Sequence, residues 1–173
     1  MSFRDALIAV PPLERDAWVD RRFGFVEVTS DGPSLPKDGV PYLPAPVAAV
    51  LEFVDRAKLG PSDVIVDVGA GVGRAALLLQ QLTGARVIGV EVQPELVALA
   101  RRLAPGVEFI EADAAQCPPA DAYFLYCPFS GDRLERWLDS HRARVLGCVD
   151  VAELRRPWLR AEPGTNVDLF WRA

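Results

Sequence analysis

An acidic residue and a run of glycines stand at the point in this sequence where a ligand site is easiest to build. In 'DVGAGVGR', Asp67 precedes Gly69, Gly71 and Gly73 at alternating positions. Glycines after a strand permit positive φ and let the main chain approach a ligand closely. Glu91 follows about 20 residues later, where a carboxylate can accept hydrogen bonds from both hydroxyls of a ribose. These residues predict a site for a ligand that carries a ribose.

A strand and a helix must flank the glycines if they are to line such a site. 'DVIVDVG' is a β-branched run typical of a strand buried on both faces, and 'GRAALLLQQL' is predicted to be a helix. Strands are predicted to start near residues 63, 86, 106, 121, 144, 155 and 166. Their alternation with helices indicates a parallel sheet with right-handed crossovers. The turn-forming 'EPGTN' predicts a C-terminal antiparallel hairpin, with a helix over residues 151–160 as the competing prediction.

The composition is that of one globular domain. The 173 residues suffice for a single hydrophobic core, and half of them are apolar. A net charge of −5 argues against a protein that binds nucleic acid by neutralising phosphates. Three cysteines without CxxC spacing predict neither a metal site nor a disulfide framework. No secretory signal or membrane-spanning run is visible, so we expect a cytoplasmic protein.

Two classes of ligand use a glycine turn of this kind. The dinucleotide fingerprint GxGxxG fails when counted from Gly69, because its sixth position is Arg74. Counted from Gly71 it ends at Ala76, a permitted variant. The run D-x-G-x-G-x-G that starts at Asp67 instead resembles motif I of the class I S-adenosylmethionine-dependent methyltransferases. The dinucleotide interpretation assigns no role to Asp67, so the methyltransferase resemblance is preferred.

This resemblance covers roughly residues 45–172 and implies a three-layer, Rossmann-like α/β sandwich. The family's sheet of seven strands is mostly parallel, with the last strand antiparallel and inserted beside the fifth. Little sequence separates Asp113 from Asp121 and Asp150 from Arg155, so these two covering helices are expected to be reduced to turns or a single winding. Residues 45–173 would form the S-adenosylmethionine-binding domain, and residues 1–44 an N-terminal extension of helix and Pro/Gly-rich loop packed on it. The chain is expected to be a monomer or a homodimer.

The resemblance also implies the contacts with S-adenosylmethionine. Asp67 would meet the ammonium group, Glu91 the ribose hydroxyls, and Asp113 the adenine amino group. Tyr42, held between prolines in 'PYLP', would lie over the methionine end. The remaining cofactor contacts predicted at the glycine turn and at the ends of the next two strands are Gly69, Ala70, Gly71, Gly73, Val92 and Ala114.

The methyl acceptor is expected beside the fourth strand, in 'FLYCPFSG'. This segment occupies the place of the NPPY-like motif of amino-methylating relatives, of which only the proline and the aromatic residue match. Tyr126 and Phe129 are the candidate catalytic residues, one as a direct contact and the other as a wall of the acceptor slot. Packing alone is the alternative role for both. Cys127 is not expected to act as a nucleophile, and His141 is expected at the surface.

Two further patterns resemble the mitochondrial protein-lysine methyltransferases. These are the 'PYxP' element at Tyr42 and G-x-E-x-x-P-x-L-V from Gly89 to Val97. They imply a nitrogen acceptor, either a protein lysine or a small amine. No nucleic-acid partner is expected, because Tyr126 replaces the polar Asn or Asp of the NPPY-like motif and the net charge is −5. That family's membrane anchor is absent, so no membrane partner is expected. A small molecule of bacterial metabolism is an equally compatible acceptor, and a module that binds S-adenosylmethionine without turnover is the alternative function.

Overall fold

A seven-stranded sheet forms the centre of the protein in the computed structural model, which describes residues 1–25, 35, 40–126, 129, 131–150 and 156–172. The strands lie in the order β3-β2-β1-β4-β5-β7-β6. Strands β1 to β5 are parallel, and β7 is antiparallel to both of its neighbours. Their bounds are β1 (Val64–Val68), β2 (Arg86–Glu91), β3 (Glu108–Glu111), β4 (Ala122–Tyr126), β5 (Val145–Val149), β6 (Leu159–Glu162) and β7 (Asp168–Arg172). The predicted insertion of the last strand beside the fifth is confirmed.

Helices cover both faces of this sheet. They are α1 (Phe3–Ile8), α2 (Arg15–Phe23), α3 (Val47–Ala57), α4 (Arg74–Thr83), α5 (Pro94–Leu103) and α6 (Gly131–Ser140). Because successive side chains of a strand point to opposite faces, Ile65 of β1 joins a core cluster with α3, α4 and α5, whereas Val66 and Val68 join a second cluster with α6. The predicted three-layer α/β architecture is confirmed.

The N-terminal residues belong to the first of these clusters. Leu7 of α1 and Val19 of α2 are both completely buried in it. The helix predicted within the N-terminal extension is α2, which is followed by Gly24 in the left-handed conformation with φ 81°. Helix α1 was not predicted, although Ser2 and Asp5 form a capping box that starts it.

The crossover between β3 and β4 is as short as the spacing predicted. It contains a single 3-10 turn, Ala114–Gln116, instead of a helix. The corresponding prediction after Asp150 falls on residues 151–155, outside the described part of the chain. The competing helix over residues 151–160 is wrong over its described part, where a turn leads into β6.

The expectation that His141 is a surface residue is wrong. Its ring is buried and stacks on Trp137, with centroids 4.6 Å apart. The chain turns back onto the sheet directly after α6, which brings this ring edge-on to Tyr123 as well. Within the described residues, no helix is long and apolar enough to cross a membrane.

Candidate active site

The glycine turn joins the end of β1 to the start of α4. Gly69, Gly71 and Gly73 all have positive φ, at 76°, 53° and 81°. Residues with a Cβ avoid this left-handed region, so the alternating glycines follow from the path of the backbone. The N–H groups of Gly69 and Ala70 both donate to the carbonyl of Val90, at 2.9 and 3.0 Å. The turn is therefore held against the end of β2.

Tyr42 covers this turn. A Cβ added at Gly71 would overlap Cδ2 and Cε2 of the Tyr42 ring. The ring therefore packs directly on the backbone of Gly71, where no side chain fits. Burial raises the pKa of Tyr42 well above its usual value, although the Arg74 guanidinium opposes the shift. The hydroxyl therefore stays protonated and can donate a hydrogen bond.

Glu91 is held at the end of β2 by backbone donors. Its side chain is buried, with Oε2 accepting from the N–H of Gly71 at 2.9 Å. Oε1 accepts from the N–H groups of Val92 and Gln93, at 2.8 and 2.9 Å. A carboxylate offers about four acceptor sites, and these donors use three of them. The carboxylate can accept a hydrogen bond from one ligand hydroxyl directly. It can accept from a second hydroxyl only if one of the backbone donors is displaced.

Asp67 brings a second carboxylate to the same turn. The residue is 3% exposed, and among the described residues its Oδ2 has no hydrogen-bond partner. Burial raises the pKa of this carboxyl to about 7, the Ala76 amide lowers it, and the charge of Glu91 raises it further. A buried acceptor without a donor costs free energy. A cationic ligand group beside Oδ2 would remove that cost.

These residues surround one pocket, which is partly open to solvent. Its walls come from the glycine turn, the ends of β2 and β4, and the loop that carries Tyr42. The predicted site residues that line it are Tyr42, Asp67, Gly69, Ala70, Gly71, Glu91, Val92, Ala114, Tyr126 and Phe129.

Gly73 and Asp113 are not among the residues that line this pocket. Gly73 caps the start of α4, and a Cβ there would overlap the ring of Phe109. Asp113 is engaged through both oxygens, since Oδ1 accepts from the N–H of Ala115 at 2.8 Å and Oδ2 from Arg133 at 2.6 Å. The cofactor contacts expected of these two residues stay predictions.

The acceptor end of the pocket lies where β4 ends. Tyr126 is partly buried there, and Phe129 is buried with the guanidinium of Arg133 lying 5.0 Å over its ring. Arg133 itself lines the pocket. Residues 127 and 128 of the 'YCPF' segment lie outside the described residues, so the expectation for Cys127 is not tested.

Sequence reasoning missed Arg74 as a site residue. Its side chain lines the pocket and is 2% exposed, and it reaches the N-terminal segment through ion pairs with Asp16 and Asp20. No local pattern reveals pairs between residues more than fifty positions apart. Within the described part of the chain, no cluster of three or more His, Cys, Asp or Glu residues could hold a metal ion.

Comparison with known proteins identifies the domain that carries this pocket. A family model described as a methyltransferase domain matches residues 65–150, from β1 to the end of β5. These residues, just under half of the chain, match the methyltransferase domain family. Trans-aconitate 2-methyltransferase of Escherichia coli O157:H7 is 35% identical over 92 residues, which are 53% of this chain and 35% of that protein. The chain thus matches about a third of the length of these curated relatives.

Solved structures share the fold of the methyltransferase domain. An RNA methyltransferase from Salinibacter ruber in complex with S-adenosyl-L-homocysteine has a TM-score of 0.62 at 24% identity, covering 75% of this chain and 93% of that one. A dimethyladenosine transferase from Plasmodium falciparum has a TM-score of 0.52 at 21% identity, covering 63% and 44%. At these identities the likeness establishes the architecture.

The pocket fits S-adenosylmethionine, the cofactor of class I methyltransferases. Oδ2 of Asp67, which has no partner among the residues that the structure describes, suits the ammonium group, and the lack of a side chain at Gly71 allows the close approach that the ligand needs. Glu91 retains acceptor capacity for a ribose hydroxyl. Two buried carboxylates at the turn would repel the pyrophosphate of a dinucleotide, so the competing ligand class fits this pocket less well.

Proposed function

We propose that this chain is an S-adenosylmethionine-dependent methyltransferase. The observation that carries the proposal is Asp67, a residue of the pocket wall whose buried Oδ2 has no hydrogen-bond partner among the described residues. When bound, the cofactor supplies a methyl group already activated by its sulfonium. The protein's task is then to bind, orient and exclude water.

The residues around the pocket divide this task. Asp67 binds the ammonium group of the cofactor, and Glu91 accepts a hydrogen bond from its ribose. Tyr42 covers the glycine turn. Tyr126 and Phe129 form the wall against which the acceptor is aligned with the methyl group. Alignment of this kind lowers the barrier by up to about 7–11 kcal/mol in favourable cases. A neutral amine needs no strong general base, because its nitrogen lone pair is already available. A lysine ammonium would first release one proton to solvent, and the methylated nitrogen would then carry the positive charge that the sulfonium loses.

The acceptor that we propose is a nitrogen, in a protein lysine or in a small amine. The support is the resemblance of 'PYLP' and of the motif from Gly89 to Val97 to the mitochondrial protein-lysine methyltransferases. The position of Tyr42 adds to it, since this residue of 'PYLP' lies on the glycine turn. The hydroxyl or the backbone carbonyl of Tyr126 is the candidate group to accept a hydrogen bond from the amine.

A small carboxylic acid is the second candidate acceptor. Relatives named trans-aconitate 2-methyltransferase support it, as does the guanidinium of Arg133 in the pocket wall beside Phe129. Arginine donors match the geometry of a carboxylate, and the guanidinium has five of them to share with Asp113. An RNA acceptor is less favoured, because the net charge is −5 and phosphate binding requires cationic surface.

A transfer assay with methyl-labelled S-adenosylmethionine tests the proposal. The full chain is incubated with three acceptor panels, namely lysine peptides with small amines, di- and tricarboxylic acids, and RNA. Base-stable label in the first panel is the expected result. Base-labile label in the second, released as methanol, would favour the carboxylate instead, and label in the third would favour RNA.

Two controls make the assay decisive. The Asp67→Ala variant should transfer no label, and Glu108→Gln, an exposed change at the start of β3, should transfer as much as the wild type. Cofactor binding without transfer to any panel would indicate a binding module. Absence of cofactor binding by the folded wild-type protein would contradict the proposal.

A further inference from the structure

The guanidinium of Arg74 is buried beneath the N-terminal segment, at the point where α4 begins. Its Nε donates to Oδ1 of Asp20 at 2.6 Å, and its Nη2 donates to Oδ1 of Asp16 at 2.9 Å. Its Nη1 donates to the carbonyl of Ala45 at 2.5 Å. Both carboxylates belong to α2, so two ion pairs join the N-terminal helix to the element that directly follows the glycine turn.

Asp16 extends this connection to a third element. The same Oδ1 that pairs with the guanidinium accepts from the N–H of Val47 at 3.0 Å, at the first residue of α3. Together with the bond to the Ala45 carbonyl, this contact holds the chain at two points shortly after Tyr42. The Tyr42 ring rests on the glycine turn. The ion pairs therefore act on the chain that carries the wall of the pocket.

We propose that Arg74 is a positioning residue, whose ion pairs with Asp16 and Asp20 hold Tyr42 in place over the cofactor pocket. A buried guanidinium cannot exchange a lost carboxylate for water. Loss of a partner therefore forces the side chain to reorient and releases the segment that it holds. The inference rests on the proposed function in taking S-adenosylmethionine and S-adenosylhomocysteine as the ligands.

A double-mutant cycle tests this coupling. The Kd of S-adenosylhomocysteine is measured by calorimetry for the wild type, Asp20→Asn, Tyr42→Ala and the double variant. Asp20→Asn keeps the shape of the side chain and removes its charge, and it should weaken binding by about fivefold or more. In the Tyr42→Ala background, the same change should raise the Kd by less than about twofold, because the ring through which Asp20 acts is absent.

Glu52→Gln is the matched control. Glu52 pairs with Arg56 at 2.9 Å and accepts from the N–H groups of Thr165 and Asn166, away from the pocket. This change should lower the Tm as Asp20→Asn does and leave the Kd within twofold of the wild type. If Glu52→Gln weakens binding as much as Asp20→Asn, loss of stability explains both results and the inference is wrong.

Hydrogen exchange in the ligand-free protein supplies a readout that needs no cofactor. Amides of residues 40–50 should exchange faster in Asp20→Asn than in the wild type, and no faster in Glu52→Gln. Unchanged exchange, a wild-type Kd in Asp20→Asn, or equal effects of that change in both Tyr42 backgrounds would each overturn the inference. If Asp20→Asn does not fold, Asp16→Asn takes its place in the cycle and in the exchange measurement.

The exchange measurement also separates this inference from the proposed function. A wild-type protein that binds neither ligand would overturn the proposed function. Exchange over residues 40–50 would then decide by itself whether the ion pairs of Arg74 hold the segment in place.

Discussion

Oε2 of Glu91 accepts a hydrogen bond from the backbone N–H of Gly71 at 2.9 Å. This contact joins the end of β2 to the middle of the glycine turn, twenty residues earlier in the chain. Two further backbone donors hold the other oxygen. The carboxylate is therefore oriented before any ligand arrives, and its position depends on the same main chain that forms the floor of the pocket.

Replacing this carboxylate should weaken cofactor binding. In Glu91→Gln one oxygen becomes an NH₂ group, which must face either the N–H of Gly71 or those of Val92 and Gln93. Loss of a hydrogen bond to a charged group costs about 1.5–3 kcal/mol, so we expect the Kd of S-adenosylmethionine to rise about 10- to 100-fold. Calorimetry measures it, and Glu108→Gln should bind normally. Wild-type affinity in Glu91→Gln would contradict this role.

Cofactor affinity should depend on the protonation of Asp67. Its native pKa of about 7 lies above the ordinary 3.8, so the native state holds this proton more tightly than the unfolded state. Ionisation of Asp67 therefore lowers the stability of the ligand-free protein as the pH rises from about 4 to 7. An ammonium group prefers the ionised carboxyl, so affinity should increase over the same range and level off above it.

The comparison with Asp67→Asn isolates this group. Calorimetric titrations between pH 5 and 8 should give a Kd for the wild type that falls towards pH 7. The variant should have a higher Kd than the wild type, and this Kd should change little with pH. Parallel pH profiles for the two proteins would show that another group is responsible for the dependence.

A methyl group at the glycine turn should displace Tyr42. In Gly71→Ala the new Cβ overlaps the tyrosine ring, and a φ of 53° is unfavourable for alanine. We expect a Kd for S-adenosylmethionine at least about tenfold higher and a lower Tm. Gly60→Ala is the control, since a Cβ there meets nothing within 4 Å and φ lies outside the positive range. Normal binding by Gly71→Ala would mean that the pocket tolerates displacement of Tyr42.

The sheet and the glycine turn could be predicted because their signals are local. A β-branched run, a glycine at every second position and an acid at the end of the next strand are each visible within a few residues of sequence. The same holds for the hairpin around 'EPGTN', which the structure forms with β6 and β7. Helix α1 was missed although its capping box at Ser2 is also local, because a six-residue helix gives only a weak periodic pattern.

The contacts that complete the site could not be predicted, because they join distant positions. Arg74 pairs with residues 54 and 58 positions earlier, and Arg133 of α6 reaches Asp113, which lies 20 positions earlier. His141 was misplaced because a single histidine after a polar helix carries no sign that the chain folds back onto the sheet. The sequence predicts which residue types meet at the edge of the sheet, whereas packing decides which of them face the pocket.

Loss of the acids around Arg74 should cost more stability than loss of the arginine. The Arg74 side chain is 2% exposed, whereas those of Asp16 and Asp20 are 50% and 29% exposed. Replacing both acids by asparagine leaves a buried cation without a carboxylate, at a cost of about 3–5 kcal/mol. Arg74→Met leaves two acids that water can reach and should cost about 1–2 kcal/mol. Urea denaturation measures both, and the opposite order would contradict the burial argument.

Calorimetric titration of the full chain with S-adenosylmethionine, S-adenosylhomocysteine and NAD tests which ligand the pocket binds. The pocket around Asp67 and Glu91 predicts micromolar binding of the first two ligands, loss of both in Asp67→Ala and Glu91→Ala, and no binding of NAD. Failure of the folded wild-type protein to bind either sulfur-containing ligand, or a preference for NAD, would contradict the account.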